Sequence, residues 1–311
     1  MRYKAIVTGG AGFIGSHLVD RLVSQDFDVM VIDNLSTGLQ ENLNKETEFL
    51  NKDLRDKDIG TIIESYSPEY IFHLAAQVDV RKSLKDPIWD ENINIEGTLN
   101  LLNAASNAKV KKLIFSSTGG AIYGEARNAK EDRLPCPLSP YGVAKLACEH
   151  YLRVYSEWKD LSFTVLRYGN VYGPRQDPFG EAGVIAIFSR QLILGQKPVL
   201  YGYGRMIRDY VYVADVVEAN IRALERGNGK IYNIGAGKAT SVNDIFGSLR
   251  NISGNNIEPE LKEAREGETL EVWLNSQKAF HELGWKPEVS LEDGLKRTYN
   301  WFKEHNSYGT K

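Results

Sequence analysis

The feature that most constrains this chain comes at its start. An apolar run over residues 3–8 breaks directly into Gly9-Gly10-Ala11-Gly12-Phe13-Ile14-Gly15, after which residues 16–24 carry a helical pattern. Glycines at 9, 12 and 15 let the backbone turn tightly, approach a pyrophosphate closely and pack the next helix on the strand, so that helix N-terminal amides face an anion. The loop is answered 18 residues after Gly15 by Asp33, at the end of a second apolar run over 29–33. A carboxylate there accepts hydrogen bonds from the adenosine ribose and repels a 2′-phosphate, which selects NAD over NADP. Asp53, after a third short run at 48–50, is a second candidate, for the adenine edge.

Further apolar runs at 70–74, 112–116 and 163–167 alternate with amphipathic stretches such as 95–105. That rhythm predicts βαβ units around a parallel sheet covered on both faces, an α/β Rossmann-type doubly wound fold. After Asn170 the pattern changes to a turn-rich loop at 173–180, a helix over 184–194, one more strand at 231–234 and a mixed tail from Val242. The division predicted is an NAD-binding domain over 1–168, to which about 210–235 returns, and a smaller C-terminal α/β domain over 169–311.

Composition removes several function classes. Lys and Arg number 38 against 41 Asp and Glu, a net charge of −3, and no long basic stretch offers a footprint for nucleic acid or an anionic membrane. The densest cationic spot, Lys109, Lys111 and Lys112, reads as a solvated helix end. Cys136 and Cys148 stand at no metal or redox spacing, which fits a reducing compartment. Glycines interrupt the first apolar residues too early for a signal peptide and no apolar run approaches a membrane span, so the expectation is a cytoplasmic protein.

A second motif carries chemistry. Ser139-Pro140 precedes Tyr141-Gly142-Val143-Ala144-Lys145, placing Tyr141 in the first turn of a helix and Lys145 one turn further on the same face. A free phenol has a pKa of about 10, so ionising it near neutrality requires about three units, or roughly 4 kcal/mol. One cation about 4–5 Å away at an effective dielectric near 20 supplies on the order of 3–4 kcal/mol. The expectation is that Lys145 brings Tyr141 most of the way and a positive nicotinamide ring the rest. Such a tyrosinate takes a proton from a sugar hydroxyl while hydride leaves the same carbon. Upstream, Ser116-Ser117-Thr118 puts hydroxyls at a strand end, where active sites of parallel sheets lie, to hold the substrate oxygen.

The combination of TGGAGFIGSH, Asp33, SSTGGAIYG, SPYGVAK and RYGNVYGPR resembles the extended short-chain dehydrogenase/reductase superfamily, and within it the UDP-glucose/UDP-N-acetylglucosamine 4-epimerases, over essentially the whole chain. The resemblance implies Tyr141, Lys145 and a third hydroxyl as the catalytic set. Thr118 is assigned, with Ser117 as competitor, because Gly119-Gly120-Ala121 adds a residue to the family's Ser-Ser-Ser-Ala run. The NAD set it implies is Gly9, Gly12, Phe13, Ile14, Gly15, Asp33, Asn34, Asp53, Leu54, Leu74, Ala75, Ala76, Asn94, Ser116 and Tyr168, with Tyr141 and Lys145. For the UDP-sugar it implies Asn170, Arg208 and Arg265 at the diphosphate, amides of the 181–184 loop including Gly183 and Val184, Glu268 near the ribose, and Val272 beside the sugar. It also implies a homodimer through a four-helix bundle of the helices at about 90–108 and 141–158.

Relatives on this scaffold that dehydrate nucleotide sugars follow the hydroxyl residue with Asp-Glu, and decarboxylases carry a glutamate near that position; here Gly119 and Gly120 follow Thr118. One tyrosine base with NAD can oxidise C4 and return hydride. Turnover of the bound 4-keto sugar between the two steps inverts C4 and leaves the cofactor unchanged. The expectation is therefore an isomerase, a UDP-hexose 4-epimerase, with a nucleotide-sugar lyase such as a UDP-glucuronate decarboxylase as the alternative. Val272 stands where glucose-restricted relatives carry a bulky tyrosine, and a valine leaves room beside C2 for an acetamido group.

Overall fold

The structure, a computed structural model, describes residues 2–179, 183–265 and 269–309. The apolar runs become strands β1 (Lys4–Thr8), β2 (Asp28–Asp33), β3 (Glu48–Asn51), β4 (Tyr70–His73) and β5 (Lys112–Thr118). After them come β6 (Ala126–Ala129), β7 (Phe163–Tyr168), β8 (Asn170–Tyr172), β9 (Val199–Leu200), β10 (Ile207–Arg208), β11 (Tyr210–Tyr212), β12 (Lys230–Ile234), β13 (Thr240–Ser241), β14 (Glu260–Leu261) and β15 (Glu271–Leu274). The helices are α1 (Phe13–Ser24), α2 (Ile59–Tyr66), α3 (Val80–Lys85), α4 (Pro87–Glu91), α5 (Gly97–Asn107), α6 (Gly119–Ile122), α7 (Pro140–Lys159), α8 (Val184–Ile193), α9 (Val213–Arg222), α10 (Val242–Ser253) and α11 (Leu291–Glu304).

Seven strands form a parallel sheet in the order β12-β7-β5-β4-β1-β2-β3. Chain order reverses at β1, so the crevice for a ligand opens beyond the carboxyl ends of β1 and β4, where the glycine loop emerges. Side chains of β1 alternate between two cores, as a strand covered on both faces requires. Ala5 and Val7 pack with α1 and α9; Ile6 packs on the other face with α2, α5 and α7. Both predicted faces are therefore covered, and the fold is the expected Rossmann type.

A separate apolar core joins α8, α10 and α11 through Phe188, Phe246, Leu249 and Tyr299. Beside it, the small sheet β13-β10-β15-β6 pairs Arg208 with Val272 in register. Asp209 ties this part to the main sheet: its carboxylate accepts the amides of Ala236 (2.7 Å), Gly237 (3.1 Å) and Leu274 (3.1 Å). Burial nonetheless pushes its pKa up to about 6 against those donors.

Two local expectations change. The helix expected from 95 begins earlier, with a π-helical turn at Asn92–Glu96, where the Thr98 hydroxyl donates to the Asn94 carbonyl (2.6 Å) and competes with the backbone ladder. Lys112 is buried, not solvated: its ammonium donates to the Arg226 carbonyl (2.5 Å), and desolvation lowers its pKa to about 8. No helix among the described residues is long and apolar enough to cross a membrane.

Candidate active site

The glycine loop is built by close approach. Gly9 has φ +72°, and a Cβ there would lie 2.7 Å from the Ala75 nitrogen; one at Gly15 would lie 2.1 Å from the Gly9 carbonyl oxygen. Side chains are thus excluded where the loop meets the end of β4 and where α1 packs on it. Leu74 and Ala75 hold that approach, their amides donating to the Thr8 carbonyl (3.1 Å) and hydroxyl (3.2 Å), and Ala76 follows, partly exposed. Helix α1 opens at Gly12 with no side-chain cap and no acidic residue in its first turn, which begins Phe13-Ile14. An uncapped N-terminus of this kind suits a diphosphate.

Asp33 closes the other end of the cradle. Its carboxylate accepts the amides of Ala11 (3.0 Å) and Leu35 (2.8 Å), and burial raises its pKa despite them. Asp53 is different. Arg55 grips it through Nε and Nη2 (both 2.8 Å) and its amide (2.9 Å), and Asn34 Nδ2 adds a fourth donor (2.9 Å), so the pKa falls to about 2. An adenine amine would have to displace one of these donors. Leu54 is buried against α5, whose Asn100 caps its carbonyl. Asn94 exchanges hydrogen bonds with the Gln77 backbone (both 3.0 Å). A glycine-rich loop, an uncapped helix terminus and a fixed carboxylate at the end of β2 are a donor and acceptor set that fits NAD.

The reactive groups meet between β5 and α7. Ser139 caps α7, accepting the Gly142 amide (3.2 Å), and Pro140 starts the helix with its φ already set. Tyr141 in the first turn shares a hydrogen bond with the Thr118 hydroxyl, which also accepts the Ala121 amide (3.2 Å). Ser117 is turned elsewhere: its hydroxyl donates to Glu149 Oε1 (2.6 Å) in a buried cluster. The structure therefore brings Thr118, not Ser117, to Tyr141.

The electrostatics depart from expectation. Lys145 lies over the Phe115 ring and donates to the Ser116 carbonyl (2.9 Å), and burial drives its own pKa down to about 8. The Tyr141 phenol is raised well above its usual value, first by burial and then by the negative charge of Asp90, against the Thr118 hydrogen bond. Spacing placed Lys145 on the right helical face; it did not reveal that the ammonium is engaged by β5. Asp90, on α4, is fully buried, with Gln77 (2.6 Å) and Asn94 (3.2 Å) on Oδ1 and no partner on Oδ2 among the described residues. Sequence spacing gives no sign of it. Ser116 and Tyr168 pair through their hydroxyls (2.9 Å), and Asn220 completes that set.

On the sugar side, a Cβ at Gly120 would stand 3.8 Å from the Thr118 hydroxyl and 3.7 Å from Asn170 Oδ1, so those two groups face one small open volume. Val272 is buried in a cluster with Ile122, Tyr123 and Ala126, directly behind α6. Arg208 donates to the carbonyls of Ile207 (2.9 Å) and Thr269 (2.8 Å), and the Arg265 guanidinium stacks 3.5 Å from the centre of the Tyr201 ring. Gly183 precedes Val184 at the N-terminus of α8, where no side chain of the described residues caps the helix. Glu268 lies outside the described residues, as do Glu181 and Ala182 of the neighbouring loop.

Known proteins are similar throughout. The NAD dependent epimerase/dehydratase family matches residues 5–235. A putative UDP-glucose 4-epimerase of Methanocaldococcus jannaschii is 45% identical, over 97% of this chain and 99% of its own. The crystal structure of UDP-glucose 4-epimerase from Thermotoga maritima with UDP-glucose is 48% identical at a TM-score of 0.96, covering 97% of this chain and 99% of that one. A UDP-N-acetylglucosamine 4-epimerase from Methanobrevibacter ruminantium, in complex with UDP-N-acetylmuramic acid, is 36% identical at a TM-score of 0.92, covering 98% and 100%. With its glycine loop, Asp33 and Tyr141 so arranged, this chain belongs to the NAD dependent epimerase/dehydratase family.

Proposed function

We propose that this protein is an NAD-dependent 4-epimerase of UDP-hexoses, interconverting UDP-Glc with UDP-Gal and UDP-GlcNAc with UDP-GalNAc. The observation that carries the reading is the Thr118–Tyr141 hydroxyl pair followed directly by Gly119 and Gly120, so that neither position after Thr118 carries an acid. A Cβ at Gly119 would meet Leu274 Cδ1 at 2.6 Å, so the added acid that elimination of water needs could stand after Thr118 only if the Leu274 side chain moved. The named relatives, which include epimerases of glucose and N-acetylglucosamine forms, support the substrate class.

Bound NAD supplies the hydride acceptor and donor for C4 and a positive ring charge. Thr118 orients the C4 oxygen by hydrogen bonding, and Tyr141 takes its proton as the carbon is oxidised. Because Asp90 and burial hold Tyr141 protonated in the free protein, it ionises only when further positive charge enters the site. Lys145 contributes most when its ammonium is charged. After the 4-keto sugar has turned over, Tyr141 returns the proton to the oxygen on the opposite face. Asn170, Arg208, Arg265 and the α8 N-terminus serve the diphosphate; guanidinium forks and helix amides suit its two dispersed charges. In this reading, residues 1–168 hold the cofactor with the help of 210–235, 169–311 hold the sugar nucleotide, and the enzyme works in the cytoplasm.

A second copy of the chain completes the proposal. Helix α7 exposes Val143 (52%), Val154 (53%) and Trp158 (65%), and Ile88 of α4, which packs on α7, is 72% exposed. An apolar stripe on two packed helices supports the four-helix homodimer.

Incubating the protein separately with UDP-Glc and UDP-GlcNAc and following proton NMR tests the activity. The expected products are the galacto forms, and Tyr141→Phe abolishes them while sugar-nucleotide binding persists. Formation of a deoxy-keto sugar, unchanged spectra from both sugars, or release of carbon dioxide when UDP-glucuronate is supplied instead would overturn the proposal.

A further inference from the structure

Tyr141, Lys145 and Glu149 follow one another at intervals of four residues along α7, and the third has no part in the chemistry above. Glu149 is buried, and so are the groups that hold it. Arg167 donates from Nε to Oε1 (2.9 Å) and from Nη2 to Oε2 (2.6 Å), and the Ser117 hydroxyl adds a bond to Oε1 (2.6 Å). Ser117 and Arg167 are opposed partners across the β5–β7 ladder, one rung before Thr118 and Tyr168. The helix is therefore clamped to both strands beside the rung that carries the catalytic hydroxyl. Arg167 Nη1 extends the cluster to the Tyr123 hydroxyl (2.7 Å), which donates to Asn233 Oδ1 on β12 (2.9 Å).

Burying such an ion pair brings little net stability, since desolvation offsets most of the attraction and apolar replacements often do as well. What a fully hydrogen-bonded pair does supply is direction. Two carboxylate oxygens held by donors from two strands leave α7 no freedom to slide or roll. A slide of about 1 Å would separate Tyr141 from Thr118, and misplacement of that size costs on the order of 100-fold in rate.

We propose that Glu149 is a positioning residue that fixes the Tyr141 phenol against the Thr118 hydroxyl, with Ser117 as the strand-side half of the clamp. The proposal rests on the roles given above to Tyr141 and Thr118. It also assigns Ser117 a purpose other than contact with substrate.

The test compares Ser117→Ala, Ser117→Thr, Glu149→Gln and the double variant Ser117→Ala/Glu149→Gln as NAD-loaded enzymes, measuring kcat, KM and Tm. Expected for Ser117→Ala is a kcat lower by about 10- to 100-fold, with KM for the UDP-sugar within about twofold because the sugar-nucleotide contacts are untouched. Ser117→Thr keeps the hydroxyl and restores most of kcat. Residues of one clamp act as a unit, so the double variant loses no more than Glu149→Gln alone. An unchanged kcat in Ser117→Ala, equal loss of kcat with Ser117→Thr, or additive losses in the double variant overturns the inference. Should Glu149→Gln fail to fold, the kcat-against-KM split in Ser117→Ala and its rescue by Ser117→Thr decide alone. A wild-type protein without epimerase activity defeats the functional reading instead, and the two failures are distinct.

Discussion

Lys145 pits its charge against its burial, and that conflict can be measured. The residue is 4% exposed, its ammonium has one hydrogen bond to the Ser116 carbonyl, and its pKa falls from 10.5 to about 8. A drop of that size disfavours the buried cation by roughly 3 kcal/mol. The unfolded chain keeps the proton up to about 10.5, so between about 8 and 10.5 it binds more protons than the folded chain and stability rises with pH. Below about 8 both states are charged and the whole deficit is present. Lys145→Met removes the deficit and forfeits a charge-assisted hydrogen bond of about 2 kcal/mol, a net gain of about 1 kcal/mol at neutral pH. For a chain of this length that is about 1.5–2 °C in Tm. The assay is thermal denaturation of both proteins without NAD at pH 7 and pH 10, where the comparison cancels all other titrations. Lys145→Met should melt above the wild type at pH 7 and lose most of that lead at pH 10, where the folded lysine is neutral, and turnover should be lost at both. A variant less stable than the wild type by the same margin at both pH values would refute the reasoning.

Other outcomes follow from the same geometry. Removing the negative charge of Asp90 lowers the pKa of both Tyr141 and Lys145, so Asp90→Asn should shift the whole pH profile of kcat toward lower pH; an unmoved profile would show that Asp90 carries no charge that matters. Gly15→Ala puts a Cβ 2.1 Å from the Gly9 carbonyl, which should distort the loop and weaken NAD binding by about tenfold or more, read by titration of the stripped protein. Val272→Tyr should depress turnover of UDP-GlcNAc on the order of 10- to 100-fold while sparing UDP-Glc, and equal losses on both sugars would remove Val272 from the specificity argument.

What the sequence makes legible is what neighbouring residues decide. The glycine loop, Asp33 at the end of β2 and the Ser139-Pro140 start of α7 are local patterns, and each stands where its spacing predicts. The choice between Thr118 and Ser117 is not local. It depends on Glu149, 32 residues further on, taking the Ser117 hydroxyl, and on Arg167 lying opposite Ser117 across the ladder. The Tyr141 environment eluded the spacing argument for the same reason, because a helical interval places Lys145 on a face but says nothing of Asp90 arriving from α4. Lys112 was misread because a short cationic cluster looks solvated until a distant carbonyl, that of Arg226, covers one member of it.

The central claim is that C4 is oxidised and reduced again within one binding event, with nothing lost from the sugar. UDP-glucose carrying deuterium at C4, incubated with the protein in ordinary water and followed by NMR and mass spectrometry, tests it directly. The account predicts UDP-galactose with the deuterium still on C4. Loss of the label to solvent, or a product lighter by water, would contradict it.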